Sequence, residues 1–181
     1  MYGLRVVTPP TAEPVTLAEV RAHARIDTTA DDATLASYIL AARQHIENIT
    51  GRALAVTTFE MTLNDFDSDE IDLPRAPVSS IVSVTYTDVN GAAQTMPAAD
   101  YTLDATSFVP RLLLGYGKSW PGVRGEPGDV RIQFVAGEVQ PPAPLRHAVM
   151  LLAATWHENR ETPPDNPAVD ALIAPYRINW F

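Results

Sequence analysis

The hydrophobic pattern of the sequence changes its period twice, and this limits the folds that the chain can adopt. Between residues 32 and 50, apolar residues recur at alternating spacings of four and three, which marks one face of a long helix. From about 53 to 137 they lie in short runs rich in β-branched and aromatic residues, separated by turn residues. Helical periodicity returns over about 143–161. We therefore predict an α+β fold, a small helical bundle with an inserted antiparallel β region.

Local start and stop signals place the first two helices. Thr16 is positioned as an N-cap, and Glu19 follows three residues later to complete a capping box, which predicts a short helix over about 17–25. The second helix, over about 32–50, is followed by Gly51. Glycine is the residue best suited to a left-handed C-cap, so we expect the second helix to end there.

The third helix is predicted from an apolar face formed by Leu145, Val149, Leu152 and Trp156. A proline-rich stretch follows it and prevents its continuation, because proline lacks the N–H group that a helix interior needs. We predict one domain over residues 1–161 and a C-terminal arm over 162–181. The bundle then has three main helices plus the arm.

Composition narrows the range of partners. The 181 residues carry a net charge of −9, which argues against broad binding to the phosphate backbone of DNA. Only 19% of the residues are charged and 16 are prolines, so segments without periodicity are expected to be ordered loops or arms held by a partner. Cysteine is absent, and neither a signal peptide nor a membrane span is recognisable, so we expect a chain made in the cytoplasm.

The Gly-Lys-Ser sequence at Gly117, Lys118 and Ser119 resembles the end of a phosphate-binding loop, but its context does not fit one. Such a loop needs a glycine at the position that Leu112 occupies, and a helix after the serine. Pro121 follows almost at once and disfavours that helix. The stretch is therefore predicted to be a turn.

No other stretch carries a set of catalytic or ligand-binding residues. Asp65, Asp67 and Asp69 alternate like the opening of a calcium loop, but the positions that need glycine and glutamate hold Glu70 and Ala76. A solvated acidic loop between strands is therefore predicted, with a weak cation site as the alternative. The four histidines include no metal-binding His-Glu-x-x-His pair. We therefore predict no catalytic, cofactor-binding or metal-ligating residue, and a protein that is not an enzyme.

Four stretches, taken in order, resemble the head-tail connector (adaptor, or head completion) family of tailed double-stranded DNA bacteriophages and gene transfer agents. The first resembles the family's opening pair of helices, the second its first long strand, the third its Trp-Pro turn and following strand, and the fourth the helix with an Asn-Arg-Glu ending. They read "PVTLAEVRAHARIDTTADDATLASYILAARQHIENITGRAL", "LPRAPVSSIVSVTY", "SWPGVRGEPGDVRIQFVAG" and "PPAPLRHAVMLLAATWHENRE".

The resemblance implies a function in a virion or virion-like particle. Subunits of this family form a homo-oligomeric ring, typically a dodecamer, beneath the portal protein. The ring extends the DNA channel and carries a tail-side neck protein, either a stopper or a tail terminator. We expect DNA to pass through without specific binding, no membrane partner, and assembly in the bacterial host cytoplasm.

Two groups of residues are assigned within this resemblance. Trp120 and Pro121 are expected to fix a structural turn, with Lys118 as an incidental surface charge. The family also has a C-terminal arm that reaches the portal, but no family motif matches this end of the chain. The aromatic terminus alone assigns the portal-binding arm to Tyr176, Arg177, Ile178, Asn179, Trp180 and Phe181.

Two alternatives remain open at the level of sequence. The acidic stretch around Asp67, together with aromatic residues such as Trp120, would also suit a tail component that binds or processes carbohydrate. An assembly factor that is absent from the mature particle is the other alternative.

Overall fold

A computed structural model of the chain describes residues 2–66, 68–160 and 166–178. The chain divides into two compact units. The β unit comprises Met1–Pro10 and Val56–Gly137, and the helical unit comprises Thr11–Ala55 and Glu138–Phe181. The predicted α+β class is confirmed, with helices and antiparallel sheets in separate units. The division into one domain over 1–161 and an arm over 162–181 stays a prediction.

The first helix begins at the predicted capping box. The Thr16 hydroxyl oxygen accepts a hydrogen bond from the Glu19 N–H (3.2 Å), and a Glu19 carboxylate oxygen accepts one from the Thr16 N–H (2.7 Å). These bonds satisfy backbone donors that have no partner inside the helix. Helix α1 spans Leu17–Ala24 and ends where Arg25 adopts a left-handed conformation (φ 55°).

Helices α2 (Asp32–Thr50) and α3 (Ala143–Glu158) follow in the predicted order, and a fourth helix, α4 (Pro167–Ile173), lies within the predicted C-terminal arm. Gly51 ends α2 in the left-handed conformation (φ 71°), as predicted. Helix α3 ends earlier than predicted, because Asn159 leaves helical geometry while its backbone N–H and its side-chain amide both donate to the Thr155 carbonyl. The predicted last residue of this helix, Glu161, lies outside the described residues.

The helical unit has one apolar core, formed by the faces that the periodicity predicted. On α3, the predicted face residues Leu145, Val149 and Leu152 are buried, and the fourth, Trp156, is partly buried against the same core. Burial of such side chains is the main favourable contribution to folding. The other core residues are Val15, Val20, Leu35, Ile39, Ala42, Ile46, Leu54, Ala148, Ala153, Val169 and Ile173.

A buried charge network joins α2 to the segments on either side of it. The Arg43 guanidinium, 6% exposed, donates to Glu13 (2.7 Å) and to Glu47 (2.7 Å). The other Glu47 oxygen accepts from the Leu54 N–H (2.8 Å). Because the charges are paired and the carboxylate also binds backbone, burial of this network is tolerated.

The β unit contains two antiparallel sheets. The five-stranded sheet has the order β1-β2-β8-β4-β5 and the three-stranded sheet has the order β3-β7-β6. Asn90 and Gly91 lie in the turn between β4 and β5, as predicted. The bounds are β1 Gly3–Thr8, β2 Thr57–Leu63, β3 Glu70–Asp72, β4 Val78–Thr87, β5 Ala93–Thr95, β6 Tyr101–Asp104, β7 Arg111–Leu114 and β8 Val130–Ala136.

Buried and more exposed residues alternate along the central strand β8, so they lie on opposite faces of the sheet. Ile132 and Phe134 are fully buried, and Phe59 of β2 stacks on Phe134 with ring centroids 5.8 Å apart. The intervening residue Gln133 points to the opposite face and donates to Glu60 of β2 (2.9 Å). The sheet therefore presents one apolar face and one polar face.

Strand β1 is an element that the sequence pattern did not predict. It pairs antiparallel with β2, and the Arg5 guanidinium donates to the buried Glu60 carboxylate (2.8 Å). This bond, helped by Gln133, holds the pKa of Glu60 below its ordinary value. Since most of β1 is exposed, its apolar residues show no core-facing alternation that could have marked it as a strand.

Candidate functional site

The described end of the chain folds back onto the helical unit. Helix α4 leads through Pro175 into a single 3-10 turn that ends at Tyr176, whose ring packs against the helical core. Arg177 donates to Asp170 (2.9 Å), and Ile178 is buried with its N–H bonded to the Thr50 carbonyl oxygen (2.8 Å). These three residues therefore have partners within their own chain. The other three residues assigned to the portal-binding arm, Asn179, Trp180 and Phe181, lie outside the described residues.

The loop after β7 is fixed by an aromatic stack. The rings of Trp120 and Phe66 lie parallel with centroids 4.5 Å apart, and the Trp120 indole N–H donates to the Ser68 carbonyl (2.8 Å). Pro121 follows and is half-buried. Phe66 covers one face of the Trp120 ring, and the indole N–H already has a hydrogen-bond acceptor. These contacts are those of a residue that stabilises the loop.

The turn just before Trp120 is exposed. Residues Gly115 to Lys118 form it, and the Lys118 N–H donates to the Gly115 carbonyl (3.0 Å). The Lys118 ammonium lies 2.6 Å from Asp100. Between Ser119 and the start of β8 at Val130, all of which the structure describes, no helix begins, and the Gly-Lys-Ser sequence lies in a turn. Tyr116 is fully exposed at the tip.

A cavity of about 560 Å³ opens on the helical unit, lined by the end of α1 and one face of α3. Its lining includes Ile26, Leu151 and Ala154, and its polar members include His157 and Glu158. Sequence reasoning missed this cavity, because it depends on how α1 and α3 pack rather than on any local pattern.

Charged groups are arranged around His157. The His157 ring lies 3.3 Å from a carboxylate oxygen of Asp31, which also accepts from Arg160 (2.7 Å). Hydrogen bonds from Arg160 and then His157 hold the pKa of Asp31 below its usual range. The loop before α2 is thereby tied to the end of α3.

Two of the four histidines, His23 and His157, line the cavity on the helical unit. His23 meets His147 edge to face with ring centroids 5.5 Å apart, while His45 packs on Trp156 at 5.9 Å. Across residues 2–66, 68–160 and 166–178, no group of three acidic or histidine side chains could hold a metal ion. Among the helices in the described part of the chain, none combines the length and hydrophobicity that a membrane span requires.

Comparison with known proteins identifies what the chain is similar to. The model of the phage gp6-like head-tail connector protein family matches residues 14–108. No curated protein sequence matches the chain.

Solved structures of gene transfer agent (GTA) particles contain similar chains. One in the neck of an empty GTA particle computed with C6 symmetry is 32% identical, with 99% of this chain and 97% of that chain covered and a TM-score of 0.85. Another, in the virion of a native GTA particle, is 30% identical over 98% and 96% of the two chains, with a TM-score of 0.83. A third, in the neck of a native GTA particle computed with C12 symmetry, is 31% identical over 100% and 97%, with a TM-score of 0.79. On both the family match and the similarity over nearly the whole length, the chain belongs to the phage gp6-like head-tail connector family.

Proposed function

We propose that this chain is a structural adaptor whose identical copies form a ring in the neck of a phage or phage-like particle. The ring, a dodecamer in this proposal, sits on the portal protein and receives a tail-side neck protein, a stopper or a tail terminator. The observation that carries the proposal is the 32% identity, over 99% of this chain, with a chain in a GTA neck. Neck structures computed with C6 and C12 symmetry support a ring of repeated subunits.

The role of the ring is structural, and DNA passes through it without specific binding. A net charge of −9 on each copy supports this, because a ring of acidic subunits repels the phosphate backbone. The protein is located in the neck of the virion and is assembled in the bacterial host cytoplasm. No enzymatic activity forms part of this proposal.

The C-terminal residues Tyr176 to Phe181 supply the contact with the portal. Tyr176 and Ile178 hold the start of this segment on the helical unit. The composition of the rest supports the role, because Trp180 and Phe181 are aromatic and Arg177 adds a positive charge. Aromatic and arginine side chains are enriched among the residues that dominate protein–protein binding. Arg177 also lies on the exposed side of the helical unit, next to Asp170.

Co-sedimentation with purified portal rings of the same particle tests the proposal. We expect saturable binding at about one chain per portal subunit. The double variant Trp180→Ala with Phe181→Ala should bind at least about tenfold more weakly, whereas Phe108→Ala, an exposed aromatic of the β unit, serves as the matched control. Absence of wild-type binding would refute the adaptor role, and unchanged binding by the double variant would refute only the assignment of the arm.

A further inference from the structure

The turn formed by residues 115–118 is anchored at its base by several contacts, although its tip is exposed. The Gly115 N–H donates to the Asp100 carbonyl (2.9 Å), and the Lys118 ammonium binds the Asp100 carboxylate (2.6 Å). A Cβ at Gly115 would lie 3.2 Å from the Asp100 carbonyl oxygen, so the close approach favours glycine. The Trp120 indole holds the following segment on Ser68. Because the turn is already ordered by these contacts, binding of a partner to it costs little conformational entropy.

The turn presents two side chains that suit recognition. Tyr116 is fully exposed, with an apolar ring and a hydroxyl group that no described residue contacts. Lys118 is the only lysine in the sequence, beside 12 arginines. An exposed, preorganised tyrosine is a common anchor in protein interfaces, where the ring is buried and the hydroxyl finds a polar partner.

The cavity on the helical unit offers an apolar lining that suits a tyrosine ring and a carboxylate that suits a lysine. Ile26, Leu151 and Ala154 provide an apolar lining, and Thr155 and Glu158 provide polar groups. Its volume of about 560 Å³ is within the range of pockets that enclose small ligands, so an aromatic side chain can enter. The Glu158 carboxylate is exposed, and no described residue forms an ion pair or hydrogen bond with it.

We propose that the turn 115–118 of one copy docks in the α1–α3 cavity of a neighbouring copy, with Tyr116 in the cavity and Lys118 paired with Glu158. This inference rests on the proposed ring and specifies one of its contacts. A lysine ammonium has three donors, so Lys118 can keep its bond to Asp100 while it binds a second carboxylate. Lys118 is cationic, and the Glu158 carboxylate is anionic with no partner among the described residues. The two surfaces are therefore complementary in charge.

A contact of this kind also has the symmetry that a ring requires. The turn and the cavity are different surfaces of the same chain, so their contact is head to tail. Head-to-tail contacts generate rings when the rotation between copies closes, whereas a self-complementary patch gives a dimer. The similar neck structures were computed with C6 and C12 symmetry, which is cyclic and therefore compatible with a head-to-tail contact that closes.

Carbodiimide cross-linking tests the contact directly, because the reagent joins carboxylates to amines and Lys118 is the only side-chain amine. Rings are assembled on portal rings from a mixture of ¹⁵N-labelled and unlabelled copies. We expect a Lys118–Glu158 cross-link that joins labelled to unlabelled peptides and disappears in Glu158→Gln and in Lys118→Arg. The Lys118–Asp100 cross-link within one copy is the internal positive control. Rings that give this control but no Lys118–Glu158 cross-link between copies would overturn the inference.

Assembly of Tyr116→Ala provides a second, independent readout. We expect its ring formation on the portal to weaken at least about tenfold, while Phe108→Ala, an exposed aromatic at 56% exposure, assembles like the wild type. Normal assembly of Tyr116→Ala would overturn the docking and leave the proposed ring intact. If wild-type copies form no ring on the portal, the proposed function and the docking both fail.

Discussion

The backbone N–H of Ile178 donates a 2.8 Å hydrogen bond to the carbonyl oxygen of Thr50. Thr50 is the last residue of α2, where the final carbonyls of a helix lack partners within the helix. The C-terminal segment thus satisfies one of these groups and buries the Ile178 side chain beside it. Contacts proposed for the residues after Ile178 can therefore be separated by truncation from contacts that stabilise the helical unit.

Two truncations make this separation measurable. A chain that ends at Tyr176 loses Ile178 and its hydrogen bond, and we expect its free energy of unfolding to fall by about 2–3 kcal/mol. A chain that ends at Ile178 keeps both and should unfold like the wild type in urea, while its binding to portal rings is lost. Equal stability of the two truncated chains would show that the Ile178–Thr50 contact contributes nothing.

The helices could be predicted because their signals are local. The Thr16–Glu19 capping box and the terminating Gly51 each lie within one turn of the helix end that they fix. The same holds for the buried face of α3, which follows from spacing alone. Local hydrogen bonds and periodicity are the physical information that a sequence carries most directly.

Strand β1 and the cavity could not be predicted, because they depend on contacts between residues that are far apart in the sequence. The bond between Arg5 and Glu60 joins residues 55 positions apart, and nothing near either residue indicates the pairing. The exposed tyrosine at 116 was also missed, since no local pattern distinguishes an exposed aromatic from a buried one. The single lysine two residues away, Lys118, is the available signal, but its local pattern indicates only an incidental surface charge.

Leu152→Ala tests the core of the helical unit. Leu152 is buried on α3, so truncation removes apolar contacts and leaves a cavity, and we expect the free energy of unfolding to fall by about 2–5 kcal/mol. The matched control is Leu40→Ala on α2, where the leucine is exposed and the change should stay below about 0.5 kcal/mol. Similar changes in the two variants, measured by urea denaturation, would contradict the assignment of the buried face.

Arg43→Met tests the buried charge network. The substitution removes the guanidinium that pairs with the Glu47 carboxylate, which is only 10% exposed. We expect the free energy of unfolding to fall by about 3–5 kcal/mol. Arg21→Met is the control, because the Arg21–Asp32 pair is partly exposed and its loss should cost less than about 1 kcal/mol. A small effect of Arg43→Met would mean that water or a rearranged side chain compensates Glu47.

The depressed pKa of Glu60 predicts how stability depends on pH. The bond from Arg5 lowers this pKa in the folded state, so the stabilisation is complete above the ordinary glutamate pKa of about 4.3 and is lost as pH falls through the lower, folded value. We expect Glu60→Gln to be less stable than the wild type at pH 7, with a shallower loss of stability from about pH 5 to pH 3. Thermal unfolding measured over this range checks it, and parallel pH profiles for the two chains would contradict the proposed linkage.

Trp120 variants separate the stack on Phe66 from the hydrogen bond to Ser68. Trp120→Phe removes the indole N–H but keeps an aromatic ring, so we expect the free energy of unfolding to fall by about 1 kcal/mol. Trp120→Ala removes both contacts and should lose about 2–3 kcal/mol. Tyr116→Ala is the control, because its exposed ring should leave the free energy of unfolding within about 0.5 kcal/mol of the wild type. Hydrogen exchange of the backbone amides at 115–122 gives the local readout, and faster exchange in Tyr116→Ala than in Trp120→Ala would show that the stack does not hold the turn.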